Sequence, residues 1–259
     1  MNVFEETCFK WVACFEDKIL ISTRHGILLA RGGVVVSHGG MAGNFPICQP
    51  TAFVNPEGIA VDEANGVIYV ADENGIQVWD APSSLERGNE YVGNGTMGEL
   101  KNPCGLALDG RSLYVADKGN QRVVVLDVGS KEVVRSFENL YAPHSVAVFD
   151  EYLLVGERGR LLVFSKEGGE PKLVLHCDAR CLAVDSASGN VFVGHGLTMR
   201  IRGGAFEVYH VVSTLCDMKS FAWLNGTLWT VLSHQIYGSL DVKKKNVKGN
   251  AEYIYRERL

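Results

Sequence analysis

Polar turn residues cut the chain into short apolar runs of four to six residues, too short and unbroken for amphipathic helices. Val67-Ile68-Tyr69-Val70-Ala71-Asp72 is followed by Glu73-Asn74-Gly75 and then Ile76-Gln77-Val78-Trp79. Leu113-Tyr114-Val115-Ala116-Asp117 is followed by Lys118-Gly119-Asn120-Gln121 and then Arg122-Val123-Val124-Val125-Leu126. β-Branched and aromatic runs closed by Gly, Asn or Asp predict strands joined by tight hairpins. The pattern predicts no helix beyond a single turn at Ser83-Ser84-Leu85-Glu86-Arg87.

A short cassette precedes these hairpins: Pro, a variable residue, a small residue, then apolar residues around an Ala, often closed by Asp. Its clearest copies are Pro56-Glu57-Gly58-Ile59-Ala60-Val61-Asp62 and Pro103-Cys104-Gly105-Leu106-Ala107-Leu108-Asp109. Degraded copies centre on Ala147, Ala183 and Ala222, and an eroded one on Ala13. Subtracting successive positions of the six alanines gives steps of 47, 47, 40, 36 and 39 residues. A period of about 40 residues built from short strands predicts a propeller or an array.

These residues resemble the NHL repeat. The third unit carries most of its pattern: a Gly-rich lead-in from Gly93, the Pro103 cassette, a strand ending Val115-Ala116-Asp117, and an Asn/Arg turn before the next strand. The resemblance implies an all-β fold, a six-bladed β-propeller of four-stranded antiparallel blades around a central channel. Residues 1–259 are then one domain, since six units of about 40 residues use nearly the whole chain. The ring is expected to close by a clasp between the termini, with Met1-Asn2-Val3-Phe4 or Ala251-Glu252-Tyr253-Ile254-Tyr255 as the outer strand of the sixth blade.

Composition narrows the setting. No apolar stretch approaches the roughly 20 residues of a membrane-spanning helix, so no membrane contact is expected. The start, with Glu5 and Glu6, lacks the basic and apolar regions of a secretory signal. Seven cysteines, an odd number scattered over the strands, favour a reduced intracellular compartment, most simply the cytoplasm. Asn94-Gly95-Thr96 and Asn225-Gly226-Thr227 then read as Gly turns rather than glycan sites. Up to residue 199 there are 16 basic and 25 acidic residues, a balance of −9; from residue 200 there are 9 and 5, a balance of +4. The basic end concentrates in Lys243-Lys244-Lys245 and Lys248, read as a solvated loop, and the acidic body disfavours nucleic acid.

Several motifs lose their chemistry in this frame. Gly93-x-Gly95-x-x-Gly98 has the dinucleotide spacing, but Pro103 opens a strand where the fingerprint needs a helix. Val78-Trp79-Asp80 resembles the end of a WD40 blade, yet no other unit repeats it. His176-Cys177-x-x-x-Cys181 would place its members on different strand faces. Asp62, Asp109 and Asp185 recur in phase, as do Asp72 and Asp117 with Arg122 nearby, which predicts turn and ion-pair roles.

Two sets of residues remain as candidate binding positions. The residue after each cassette Pro is expected to ring one channel mouth: Lys10, Glu57, Cys104, His144, Arg180 and Lys219. Pro143-His144-Ser145-Val146-Ala147 also resembles the metal-ligand cassette of peptidyl-hydroxyglycine amidating lyases, where several blades each supply a His. Here only His144 stands in that position, so neither a metal nor a cofactor is expected. The first two units are seven to eleven residues longer than the others, by the steps above. The extra length marks recognition loops, with Phe45, Ile47 and Tyr91 as apolar anchors.

The resulting expectation is a non-enzymatic protein-interaction module or scaffold subunit of an intracellular assembly, with other proteins as partners. A metal-dependent lyase or hydrolase at the channel mouth, which would take a small-molecule ligand, is the alternative, and an RNA-binding propeller is the second.

Overall fold

A computed structural model describes residues 9–15, 18–23, 26–31, 34–39, 53–73, 75–80, 88–92, 100–194, 197–210, 218–224, 227–232, 235–237, 240–241 and 254–255. The first sheet comprises β1 (Phe9–Phe15), β2 (Lys18–Thr23), β3 (Ile27–Arg31) and β4 (Val34–Gly39). The second has β5 (Ile59–Asp62), β6 (Val67–Asp72), β7 (Gly75–Asp80) and β8 (Gly88–Val92). The third is β9 (Pro103–Asp109), β10 (Ser112–Asp117), β11 (Arg122–Asp127) and β12 (Val133–Phe137). Then come β13 (Ser145–Phe149), β14 (Tyr152–Glu157), β15 (Arg160–Ser165) and β16 (Gly168–Leu175). The fifth sheet holds β17 (Leu182–Asp185), β18 (Asn190–Val193), β19 (Leu197–Arg202) and β20 (Ala205–His210).

Each of these five is an antiparallel meander whose first strand is innermost: β1, β5, β9, β13 and β17 contact one another in sequence. This is a β-propeller with five complete four-stranded blades. The expectation of six such blades needs correcting. In the sixth position stands a three-stranded sheet, β21 (Met218–Leu224), β22 (Thr227–Leu232) and β23 (Gln235–Tyr237), with β21 touching both β17 and β1. The clasp is not found either. β25 (Ile254–Tyr255) pairs with β24 (Leu240–Asp241), a partner from its own end of the chain, and Met1–Phe4 lies outside the described residues. A 3-10 turn lies at Lys118–Asn120, and the turn expected at 83–87 lies outside the described residues.

The cassette's residue types follow from the crowding near the axis. Side chains alternate along a strand, so successive inner-strand residues face opposite neighbouring blades. Ala60 packs in one cluster with Leu106, Ala107 with Val146, Ala147 with Leu182, and Ala13 with Ile59. At every one of these wedges the Ala of one blade meets the Ile, Leu or Val of the next. A large and a small residue together fill a gap too narrow for two large ones. The core is accordingly a series of inter-blade layers rather than a single centre.

Gly in the third cassette position allows backbones to meet. Gly58 N–H donates to Cys104 O at 3.1 Å, and Gly105 N–H to His144 O at 2.8 Å. A Cβ on Gly58 would lie 2.2 Å from Cys104 O, and one on Gly105 2.7 Å from the Ser145 Cα. Where the Gly is absent, hydroxyls make the join: Ser145 Oγ donates to Ala179 O at 2.7 Å, and Ser22 Oγ to Glu57 O at 2.6 Å. Ser220 Oγ accepts from Val12 N–H at 3.2 Å, tying β21 to β1. Gly105→Ala is expected to lower unfolding stability by about 1–3 kcal/mol, the usual cost of overpacking. Gly110→Ala, at φ 56° with nothing within 4 Å of its Cβ, should lose only about 1 kcal/mol. Urea unfolding of both variants checks the difference, and equal losses would contradict it.

Candidate functional site

The face where the inner strands begin carries the cassette's variable residues. Lys10 Nζ pairs with Glu57 Oε1 at 2.9 Å and also reaches Asn55 Oδ1. β1 bulges at Lys10, between Phe9 and Trp11, and β21 has an irregularity in the same place, around Lys219. A bulge re-aims side chains where a strand meets a rim. His144 Nδ1 lies 3.1 Å from Arg180 O. A carbonyl only accepts, so Nδ1 carries the proton and Nε2 is the acceptor. Arg180 makes a bidentate bond to Asp178, with Nη2 to Oδ2 at 2.7 Å and Nε to Oδ1 at 2.9 Å. Five of the six expected mouth residues therefore sit around one opening. The backbone of Lys219 belongs to β21 at the same level, and its side chain is outside the described residues.

Trp11 of the first blade reaches the fourth, its ring stacked on His144 with centroids 6.1 Å apart and planes at 25°. Burial pushes the His144 imidazole down to about 4, and the Lys118 cation adds to the effect. Burial likewise pushes the Cys104 thiol up to about 12 against the pull of Lys118. At neutral pH the imidazole is therefore neutral and the thiol protonated. The Glu57, Cys104 and His144 side chains each have other partners: Lys10, the Asn102 carbonyl at 3.6 Å, and the Arg180 carbonyl. Among the described residues no three His, Cys, Asp or Glu groups converge as metal ligands. The NMR titration of the His144 ring should show a midpoint near 4. Since the unfolded chain takes up that proton at about 6.5, unfolding binds more protons between pH 4 and 6.5, and this contribution to stability falls as pH falls through that window. A midpoint near 6.5 would show a solvated ring and overturn the account.

A ring of buried carboxylates shapes the rim outside this opening. Asp72 Oδ1 accepts from Asn55 N–H at 2.7 Å and Asp72 also holds Val54 N–H, Asp117 accepts from Lys101 N–H at 2.7 Å, and Glu157 from Tyr141 N–H at 2.7 Å. All three acids close the second strand of their blades, and each takes a donor from the third strand: Gln77, Arg122 or Arg160. The Asp117–Arg122 pair foreseen in the sequence is present, at 2.8 Å. The carboxylates thus fix the segments two residues ahead of each cassette Pro, turning Val54, Lys101 and Tyr141 outward. Val54 is 63% exposed and Tyr141 68%. Neither stood out in the sequence, because a lone Val or Tyr before a Pro carries no periodic signal. Phase would have revealed them, as all three share one repeat position. Asp117→Ala should lower stability by about 3 kcal/mol, by removing the buried carboxylate that pairs with Arg122 and accepts from Lys101 N–H, measurable by thermal or urea unfolding. A loss under about 1 kcal/mol would show the carboxylate to be dispensable.

The remaining acids behave as their phase suggests, with one exception. Asp62 accepts from Asn65 N–H at 3.1 Å and Asp185 from Ala187 N–H at 3.1 Å, while Asp109 instead meets Lys166 of the next blade. Trp79 is a core residue stacked on Phe53 at 5.0 Å, not a WD40 signature. Neither Cys177 nor Cys181 is in a disulfide. Phe45 and Ile47 lie outside the described residues, as does the run from Gly93 to Gly98. Tyr91 sits in β8 opposite Gln77. At the far end of the channel an open cavity of about 440 Å³ is lined by Ala13, Cys14, Val61, Asp62, Glu63 and Leu108, among others. The Cys14 thiol there is pushed up to about 12 by burial and by the Glu63 charge.

Residues 53–79 match the NHL repeat. That segment is the second blade from its lead-in through most of its third strand, and it contains the Pro56 cassette and the buried Asp72. No curated protein matches the chain. Among solved structures, the extracellular domain of a candidate one-component system from B. thetaiotaomicron is similar over 94% of this chain, with TM-score 0.63 and 14% identity. This chain spans 33% of that one. The computationally designed Ika8 protein is similar over 98% of this chain and 78% of its own, with TM-score 0.55 and 9% identity. At such identities the likeness is one of fold alone.

Proposed function

We propose that this NHL-type propeller is a protein-interaction module, a scaffold subunit of an intracellular assembly that binds through the rim of the channel mouth. The observation that carries the reading is the pair of exposed side chains Val54 and Tyr141 on backbone that buried carboxylates hold in place. Apolar and aromatic groups presented on rigid backbone lose little entropy on binding, which is what an interaction anchor requires. The proposal includes a ring of six units, in which the β21–β23 sheet fills the gap between β17 and β1 and a terminal segment supplies its outer strand. The lyase or hydrolase alternative draws no support from Glu57, Cys104 and His144, whose contacts direct them to separate partners.

The test is native size in gently prepared lysate, by gel filtration with immunoblotting. The wild-type chain should elute far above the size of a lone chain. Val54→Glu combined with Tyr141→Glu should return it to monomer size with an unchanged melting transition. A wild-type chain that elutes alone would overturn the module reading.

A further inference from the structure

The rim over blades two to four carries a charge imbalance at its centre. Lys118 is half-buried in the 3-10 turn, and its charge acts on both Cys104 and His144. Lys101 lies beside that turn: Gly119 N–H donates to Lys101 O at 2.7 Å, and a Cβ on Gly119 would meet Lys101 Cγ at 2.6 Å. Two lysines therefore share one short stretch of rim. Asp117, the nearest acid in sequence, is fully buried and already takes hydrogens from Lys101 N, Asn120 Nδ2 and Arg122 Nε. Among the described residues no carboxylate is in ion-pair contact with either lysine ammonium. Among the other described cations at the mouth, Lys10 is matched by Glu57 and Arg180 by Asp178.

The two exposed apolar anchors flank this stretch through direct backbone links. Leu140 N–H donates to Gln121 O at 3.0 Å, setting Tyr141 beside the Lys118 turn. On the other side Asn102 N–H donates to Glu73 O at 3.1 Å, and Asp72 next to it holds Val54. We infer that the arc Val54–Lys101–Lys118–Tyr141 is the acceptor for a short acidic segment of a partner protein, with carboxylates on the two lysines and apolar side chains on Val54 and Tyr141. The inference rests on the module reading and names the chemistry of its partner. A protein segment fits better than RNA. Glu57 acts with Lys118 on Cys104, and Asp178 acts with it on His144, so a continuous polyanion crossing the mouth would meet acids as well as bases, and a peptide with one or two carboxylates need not.

The experiment uses the full chain and three fluorescent probes in anisotropy titrations at moderate salt. The first is a pool of twelve-residue peptides mixing Asp and Glu with Leu, Ile and Phe. The second is the same pool with Asn and Gln in place of the acids, and the third is single-stranded oligouridine. The acidic pool should bind at least about tenfold more tightly than its amide counterpart, and more weakly as salt rises. Lys101→Gln with Lys118→Gln should abolish that preference, and Tyr141→Ala should weaken the acidic pool about tenfold. Arg202→Gln, an exposed change on the opposite face, should leave it unaltered. Equal binding of the two pools, indifference to the lysine changes, or binding of oligouridine alone would overturn the proposal. The lysate measurement reads any partner and the pools read this chemistry alone, so a Tyr141-dependent complex without lysine dependence would sink this inference and leave the module standing.

Discussion

The close approach of neighbouring backbones at the axis is the constraint on which the molecule depends. Gly58 and Gly105 each donate to a carbonyl of the next blade across a gap that leaves no room for a Cβ. Ser22, Ser145 and Ser220 make the equivalent joins with hydroxyls where the Gly is missing. Because these joins fix the inner strands against one another, the wedges behind them have a set width, and the pairing of Ala with Ile, Leu or Val fills it. Buried amide groups near the axis would otherwise lack partners, at a cost comparable to a lost hydrogen bond each. The irregular steps between units cost the ring nothing, since extra residues fall in connections outside this contact.

The buried acids at the ends of the second strands join fold to surface. Asp72, Asp117 and Glu157 each satisfy a backbone N–H of their own blade's lead-in and a side chain of its third strand. One group thereby closes the blade and determines which side chain the rim presents. Fold and surface are coupled here, since each carboxylate holds both its own blade and the backbone of Val54, Lys101 or Tyr141.

The centre of the mouth has the opposite character to the rim. Trp11 stacks on His144 across the ring, the imidazole is held neutral, and the Cys104 thiol is held protonated. Burial is the main cause of both shifts. At the rim, Val54, Lys101 and Tyr141 face solvent.

The sequence by itself determined the strand-and-turn grammar, the recurring cassette and hence the propeller class, because these are set by interactions within about 40 residues. It also placed Lys10, Glu57, Cys104, His144 and Arg180 in one ring, since phase in a repeat converts directly into position around an axis. The number of four-stranded blades did not follow. The last units have lost the Pro and Gly that mark a blade, and the expected clasp is not shown among the described residues, where β25 pairs with β24. Nor did the sequence show that Trp11 meets His144, that Lys101 and Lys118 have no carboxylate in ion-pair contact among the described residues, or that Tyr141 faces solvent. Those facts arise from contacts between blades, where residues from distant units meet only once the ring has formed. Local pattern carries the geometry of each blade, whereas charge balance and exposure at the mouth are sums over several blades, which the tertiary structure alone brings together.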